Sequence, residues 1–245
     1  MAAERPRAAI VTGGAAGIGL GIVKRLLDDG MNVLAAARNP KSCDAARSLL
    51  EGRSAHVMEA DMTVEEQVRE VMDEALVHFG RIDLLCNNAG VRHIAPLTEI
   101  SLADWQESFR VNVDAALLGA RAVLPAMREQ GGGAIVNIGS ISGVAPYAEG
   151  GAYAASKAAL ATLTRVLAME FGPLGIRVNC IAPGSIDRGG SGEMSSSHIP
   201  IGRAGAPHDV ASLVSYLASD EASYLNGAVI VLDGGATAGR TRPGR

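Results

Sequence analysis

Short apolar runs alternate with longer amphipathic stretches along all 245 residues, and this alternation constrains the fold more than any single motif. Ala8–Thr12 reads as a first strand, followed by a helix from about Gly17 to Asp29 that Gly30 is suited to end. Strands at Val33–Ala36 and Ala55–Met58 flank a helix near Lys41–Leu50. Thr63 is placed to cap the next helix, which runs to about Phe79, and Glu66 completes a capping-box pattern. Ile82–Cys86 is a fourth strand, Asp104–Glu129 a long helix interrupted by Pro125, and Ala134–Ile138 a fifth strand. A helix carrying Tyr153 runs to about Phe171. A strand at Arg177–Ile181, a helix at Asp209–Leu217 and a strand at Ala228–Leu232 close the series. Strict alternation predicts an α/β fold: a doubly wound parallel sheet of about seven strands, right-handed crossovers, and helices on both faces. Aromatic residues make up only 3% of the chain, so small aliphatic side chains carry its apolar content, which suits a sheet buried on both sides. No break in composition marks a linker, and residues 1–245 read as a single domain.

Charge and cysteine usage narrow the function. A net charge of −4 leaves no electrostatic footprint for nucleic acid, and the arginines of the tail 236–245 read as a solvated, flexible end. No run approaches the length of a membrane span, and Met1–Arg7 lacks the apolar core of a signal peptide. Cys43, Cys86 and Cys180 are odd in number and widely spaced, and the latter two end apolar runs, which favours a reducing, cytoplasmic setting. The five histidines include no His-x3-His pair, so no metal site is expected.

Thr12-Gly-Gly-Ala-Ala-Gly17-Ile-Gly19 lies between the first strand and the first helix. Glycines there let the backbone approach a pyrophosphate, and the helix N-terminus offers N–H donors and partial positive charge. The spacing is Gly-x3-Gly-x-Gly, which departs from the general dinucleotide fingerprint, and a tight packing turn would use the same glycines. At the end of the second strand stands Ala37-Arg38-Asn39, with no carboxylate to hold a ribose 2′-hydroxyl. Arg38 is either a partner for a 2′-phosphate, which favours NADP(H) over NAD(H), or a solvated residue before a turn.

Tyr153 and Lys157 are four apart in an Ala-rich helical stretch, so their side chains share one face. A phenol loses its proton near pH ~10, and a neighbouring ammonium lowers that value, making Tyr153 a candidate general acid/base. Ser140, just past the fifth strand, offers a hydroxyl at a strand-to-loop edge.

With these residues in place the chain resembles the short-chain dehydrogenase/reductases from about Ala8 to Gly235. The resemblance is carried by Thr12, Gly13, Gly17 and Gly19 in the nucleotide loop, Asp61, Asn87-Asn88-Ala89-Gly90, Asn112, Ser140, Tyr153, Lys157, Pro183-Gly184 and Asp233-Gly234-Gly235. It implies a Rossmann-like fold and a tetrad in which Ser140 polarises a substrate carbonyl and Tyr153 moves the proton. In the same tetrad Lys157 lowers the tyrosine pKa and contacts the nicotinamide ribose, and Asn112 organises a proton relay to solvent. Cofactor contacts are implied at Thr12, Gly13, Ala16, Gly17, Ile18, Gly19, Arg38, Asp61, Met62, Asn88, Ala89, Gly90, Tyr153, Lys157, Pro183, Gly184 and Ile186. One departure concerns the usual Pro-Gly-x3-Thr, whose last position is taken by Arg188, which points either toward the phosphates or to solvent.

Ser185, Gly189, Gly190, Ser191, Gly192 and Ser195 fall in a Gly/Ser-rich stretch, and the resemblance makes residues 185–205 a substrate lid. Met194, His93, Ser142 and Tyr147 are candidates for the walls of a substrate pocket. Three functions fit: an NADP(H)-dependent reductase or dehydrogenase for a small carbonyl or alcohol, a β-ketoacyl thioester reductase, or a nonenzymatic NADP(H) sensor or scaffold. The intact Ser–Tyr–Lys–Asn set argues against the sensor, and the absence of a basic cluster at the lid to dock an acyl carrier argues against the thioester reductase, which favours the first. The resemblance also implies a homotetramer or homodimer, with small residues such as Ala115, Ala116, Ala120 and Ala159 serving either a subunit contact or the chain's own core.

Overall fold

The computed structural model describes residues 5–188 and 196–239. Seven strands form one parallel sheet in the order β3-β2-β1-β4-β5-β6-β7, comprising β1 (Ala8–Thr12), β2 (Asn32–Ala37), β3 (Ala55–Glu59), β4 (Leu84–Asn87), β5 (Gly133–Ile138), β6 (Ile176–Pro183) and β7 (Val229–Leu232). The helices are α1 (Gly17–Asp28), α2 (Pro40–Leu49), α3 (Glu65–Phe79), α4 (Leu102–Phe109), α5 (Ala115–Glu129), α6 (Gly151–Phe171) and α7 (Pro207–Ala218). The expected Rossmann-like sheet is therefore present, with its strands close to the predicted positions.

Alternate residues of each strand supply two separate cores. Ala9 and Val11 of β1 join Ile22 and Leu26 of α1 and Val210 and Val214 of α7 on one face. Ile10 joins Val68 and Val71 of α3, Val123 of α5 and Phe171 of α6 on the other. Period-two burial on both faces is what makes the strands read as continuous apolar runs. Cys43, Cys86 and Cys180 are all buried and unpaired, as the apolar runs around the last two imply. Ala115, Ala116 and Ala120 are also buried within the chain, so they serve its own core.

Two local expectations are corrected. Thr63 does not cap α3, whose N-cap is Val64. Thr63 instead gives its backbone N–H and its hydroxyl to Asp61 Oδ1, at 2.9 and 2.8 Å. The long helix is not interrupted at Pro125, which lies inside α5 on an exposed face where the carbonyl it leaves unpaired can meet water. The irregularity falls earlier, as a π-helical turn over Arg110–Asp114 that joins α4 to α5. Past residue 235 the chain makes a turn in which Thr237 gives its N–H and hydroxyl to Asp233 Oδ2, and residues 240–245 of the expected tail lie outside the described residues.

Candidate active site

The strand order reverses at β1 and β4, whose onward connections leave in opposite directions. A crevice opens outside the carboxyl ends of the strands at such a point. A cavity of about 850 Å³ occupies it, within the ~300–1,000 Å³ usual for ligand clefts. Its walls come from the ends of β1, β4, β5 and β6 and from the first turns of α6.

The glycine loop forms one wall. Gly13 adopts φ +64°, and a Cβ on Gly19 would lie 2.1 Å from the carbonyl oxygen of Gly13, so no side chain fits there. The first turn of α1 carries no acidic residue and its N-cap, Ala16, makes no side-chain bond, leaving its N–H groups toward the cleft for an anion. Thr12 is not itself a wall residue. Its hydroxyl accepts the N–H groups of Asn88 and Ala89, both at 3.0 Å, while Asn88 Nδ2 donates to Thr12 O at 2.9 Å. These bonds lock the glycine loop to the β4 loop that carries Gly90. Such a cradle, closed to side chains and rich in free backbone donors, fits a dinucleotide pyrophosphate.

Arg38 and Asp61 lie beyond the cavity wall at the ends of β2 and β3, with Arg38 Nη1 3.6 Å from Asp61 Oδ2. Burial alone would raise the Asp61 carboxyl, but the two Thr63 hydrogen bonds and the Arg38 charge carry it below its ordinary value. Met62, next in sequence, is buried. On the opposite side Pro183, Gly184 and Ile186 line the cavity. A Cβ on Gly184 would lie 2.8 Å from Asp233 Cβ, and Asp233 is fixed by Gly235 and Thr237, so the closing motif sets this turn from behind. Ser185 to Asp187 are tied to Gly205 by backbone bonds, which anchors the base of the expected lid. Met194 lies outside the described residues. Arg188 turns toward the glycine loop, its Cδ 3.6 Å from where a Cβ on Gly17 would stand.

Ser140, Tyr153 and Lys157 all line this cavity. Ser140 ends β5 and caps a short 3-10 turn over Ile141–Gly143. Its hydroxyl accepts the N–H of Ser142 and donates to Ser142 Oγ, both at 3.1 Å. That turn packs so tightly on α6 that a Cβ on Gly143 would meet Ala158 N and Lys157 C at 2.8 Å. Lys157 is only 5% exposed. It donates to the Ile138 carbonyl at 2.8 Å, and its ammonium sits 5.9 Å from the centre of the Tyr153 ring. Burial pulls the Lys157 pKa down to about 8, with a further push from the Arg188 charge.

Asn112, brought inward by the π-turn, is almost fully buried. Its Oδ1 accepts Val91 N–H at 2.9 Å, and its Nδ2 donates to Val91 O at 3.0 Å and Ser156 Oγ at 2.9 Å. Both amide hydrogens are thus spent on bracing the β4 loop against α6. Asn87 and Asn137 extend this buried polar seam, Asn87 Nδ2 reaching Asn137 Oδ1 and Asn137 Nδ2 reaching Thr164 Oγ1, each at 2.9 Å.

Of the other pocket candidates, Ser142 and Tyr147 line the cavity and His93 does not. His93 is held between Glu107, 2.9 Å from its Nε2, and Asp104, 3.5 Å from its Nδ1. Arg92 is a wall residue that sequence reasoning missed. Its guanidinium gives two bonds to Tyr147 Oη, at 3.2 and 2.9 Å, across a separation in sequence that no local pattern reveals.

Residues 13–237 match the family model described as enoyl-(acyl carrier protein) reductase. The 3-alpha-(or 20-beta)-hydroxysteroid dehydrogenase of Mycobacterium tuberculosis is 37% identical over 95% of this chain and 90% of its own. The chain belongs to the short-chain dehydrogenase/reductase family. Cis-4-hydroxycyclohexanecarboxylate dehydrogenase of Sinomonas cyclohexanicum is also 37% identical, over 95% and 97% of the two chains. A solved short-chain type dehydrogenase/reductase from Mycobacterium ulcerans superposes with a TM-score of 0.92 at 30% identity, covering 96% of this chain and 91% of its own. The protein is accordingly an oxidoreductase of the CH–OH/C=O class that works with NAD(H) or NADP(H).

Proposed function

We propose that this enzyme is NADP(H)-dependent and moves a hydride between the nicotinamide and a carbonyl or secondary-alcohol substrate, with Tyr153 as the general acid/base. The observation that carries the reading is that Ser140, Tyr153 and a buried Lys157 line the same cavity as the glycine loop. In carbonyl reduction the Ser140 hydroxyl turns its proton from Ser142 Oγ to the substrate oxygen, and Tyr153 gives that oxygen its proton. The Lys157 ammonium, close to the phenol and shielded from water, favours the phenolate left behind. Asn112 and Ser156 fix the α6 turn that carries both side chains. In the oxidative direction the same groups run in reverse, with the phenolate accepting the alcohol proton.

The NADP(H) preference is supported by a 59% exposed Arg38 at the end of β2, next to a strand terminus with no carboxylate. Relatives named for hydroxysteroid, cis-4-hydroxycyclohexanecarboxylate, D-threitol and glucose substrates favour the alcohol/carbonyl reading over a thioester one. Homo-oligomer formation is supported by Val166 and Met169, exposed apolar residues on the outer side of α6. Among the described residues no helix is long and apolar enough to cross a membrane, and three unpaired cysteines suit a reducing, cytoplasmic setting.

Tyr153→Phe tests the mechanism. Turnover is expected to fall by at least ~100-fold, the scale of a lost acid/base, while NADPH binding followed by nicotinamide fluorescence stays within a few fold. Substantial activity in that variant across a carbonyl and alcohol panel would sink the tyrosine mechanism.

A further inference from the structure

Away from the cleft, at the sheet edge formed by β3, three ligand-type side chains converge. Glu74 and His78 are one turn apart on α3, and His78 Nε2 lies 2.9 Å from Glu74 Oε1. His56, on β3, turns its Nε2 to 3.6 Å from the same oxygen. The two imidazole rings stand 4.3 Å apart, centre to centre, tilted by 30°. Taking one donor atom from each residue, all three lie within 4.8 Å of one another.

A helical Glu–His pair accounts for Glu74 and His78. It does not account for His56, which comes from another element, forms no hydrogen bond among the described residues, and still faces an oxygen already in use. We propose that His56, Glu74 and His78 form a binding site for a borderline divalent transition ion of the zinc type. Two imidazole nitrogens and one carboxylate oxygen are a recurrent zinc set, with water completing a tetrahedron. Donors ~2.0–2.1 Å from a tetrahedral ion stand about 3.3 Å apart, and the two measured separations from Glu74 Oε1, 2.9 and 3.6 Å, bracket that spacing. Calcium and magnesium, which prefer oxygen ligands, fit the set poorly.

The side chains of His56, Glu74 and His78 are 35%, 39% and 41% exposed, so an ion enters from solvent without opening the fold. Arg47, a cation near His56, is paired with Asp44, which offsets its opposition to the ion. An ion at this point ties the edge strand β3 to α3. None of the three residues lines the cleft, so the site is distinct from the reaction centre.

Tag-free, full-length protein stripped with a chelator and titrated with zinc chloride against a chromogenic chelator tests the proposal. One ion per chain is expected, with a zinc-dependent rise in melting temperature. His56→Gln and His78→Gln are each expected to weaken the affinity by at least ~10-fold, the scale seen even for losses outside the ligand set, and to abolish the thermal gain. His93→Gln is expected to leave both unchanged. Zinc affinity unaffected by His56→Gln, no binding by wild type, or loss of binding on His93→Gln instead would overturn it. Circular dichroism of the variants shows whether these exposed substitutions leave the fold intact.

Discussion

Lys157→Met separates the cost of burying an ammonium from its use. The folded-state pKa of about 8 lies below the unfolded value of ~10.4, so the folded protein releases this proton first. The resulting cost is fully present below about pH 8, fades as pH rises toward ~10.4, and vanishes above it. At pH 7 it amounts to roughly 3 kcal/mol, and at about pH 9.5 to roughly 1 kcal/mol, from 1.36 kcal/mol per pKa unit. Methionine removes this cost but also the hydrogen bond to the Ile138 carbonyl, a charged bond of ~1.5–3 kcal/mol. The variant is therefore expected to match wild type at neutral pH or exceed it by up to ~2 kcal/mol. Between pH 7 and 9.5 the wild type then gains about 2 kcal/mol on the variant, because the other ionisable groups cancel in the difference. For a chain of this size that corresponds to ~4–8 °C in relative Tm. Thermal melts of both proteins at the two pH values, without cofactor and at one protein concentration, measure the difference, and Trp105 offers a single indole reporter. A gap between the two proteins that stays flat with pH would refute the buried-ammonium argument. Turnover by the variant is expected to be lost at both values.

Arg38→Ala is expected to weaken NADPH by ~10–100-fold, the scale of a charged hydrogen bond, and NADH hardly at all. Fluorescence titration of both cofactors checks this, and equal losses would remove the 2′-phosphate assignment. Glu149 is the one non-glycine described residue at positive φ, +66°, at an exposed position where its carbonyl accepts the Ala95 N–H. Glu149→Gly relieves the left-handed strain and is expected to add about 1 kcal/mol, or ~2–4 °C of Tm. A Tm that stays put or falls would show that glycine's greater freedom when unfolded outweighs the relief.

The sheet and the cleft were legible because their signals are local. Burial on both faces writes β1, β4 and β5 as apolar runs, and the glycine loop and the Tyr153–Lys157 spacing each lie within a few residues. What was not legible depends on competition or on distance. Thr63 has the right chemistry for a cap, but Asp61 two residues earlier captures its hydroxyl and N–H. Pro125 looks like a break, yet an exposed turn tolerates it, while the irregularity at Arg110–Asp114 leaves no proline or glycine to announce it. His93 reads as a pocket wall from its place after β4, but two carboxylates of α4 hold it elsewhere. The spacing of Glu74 and His78 is helical, but His56 joins them from β3 only in the folded chain, so the cluster as a whole is not legible in the sequence.

The same distinction applies within the site itself. Tyr-x3-Lys on an exposed helix would have the same spacing as Tyr153 and Lys157, but its ammonium would sit in water with an ordinary pKa. The difference lies in contacts the motif does not contain. Gly143 lets the Ser140 turn lie directly on α6, the Ile138 carbonyl receives the Lys157 ammonium, and the Asn112–Ser156 bond holds the intervening helical turn. The π-turn matters for the last of these, because it brings a buried Asn112 within reach of both Val91 and Ser156. The pairing of Tyr153 with Lys157 is thus written in a few neighbouring residues, while the burial that lowers the Lys157 pKa is set by β5, α6 and the turn between α4 and α5.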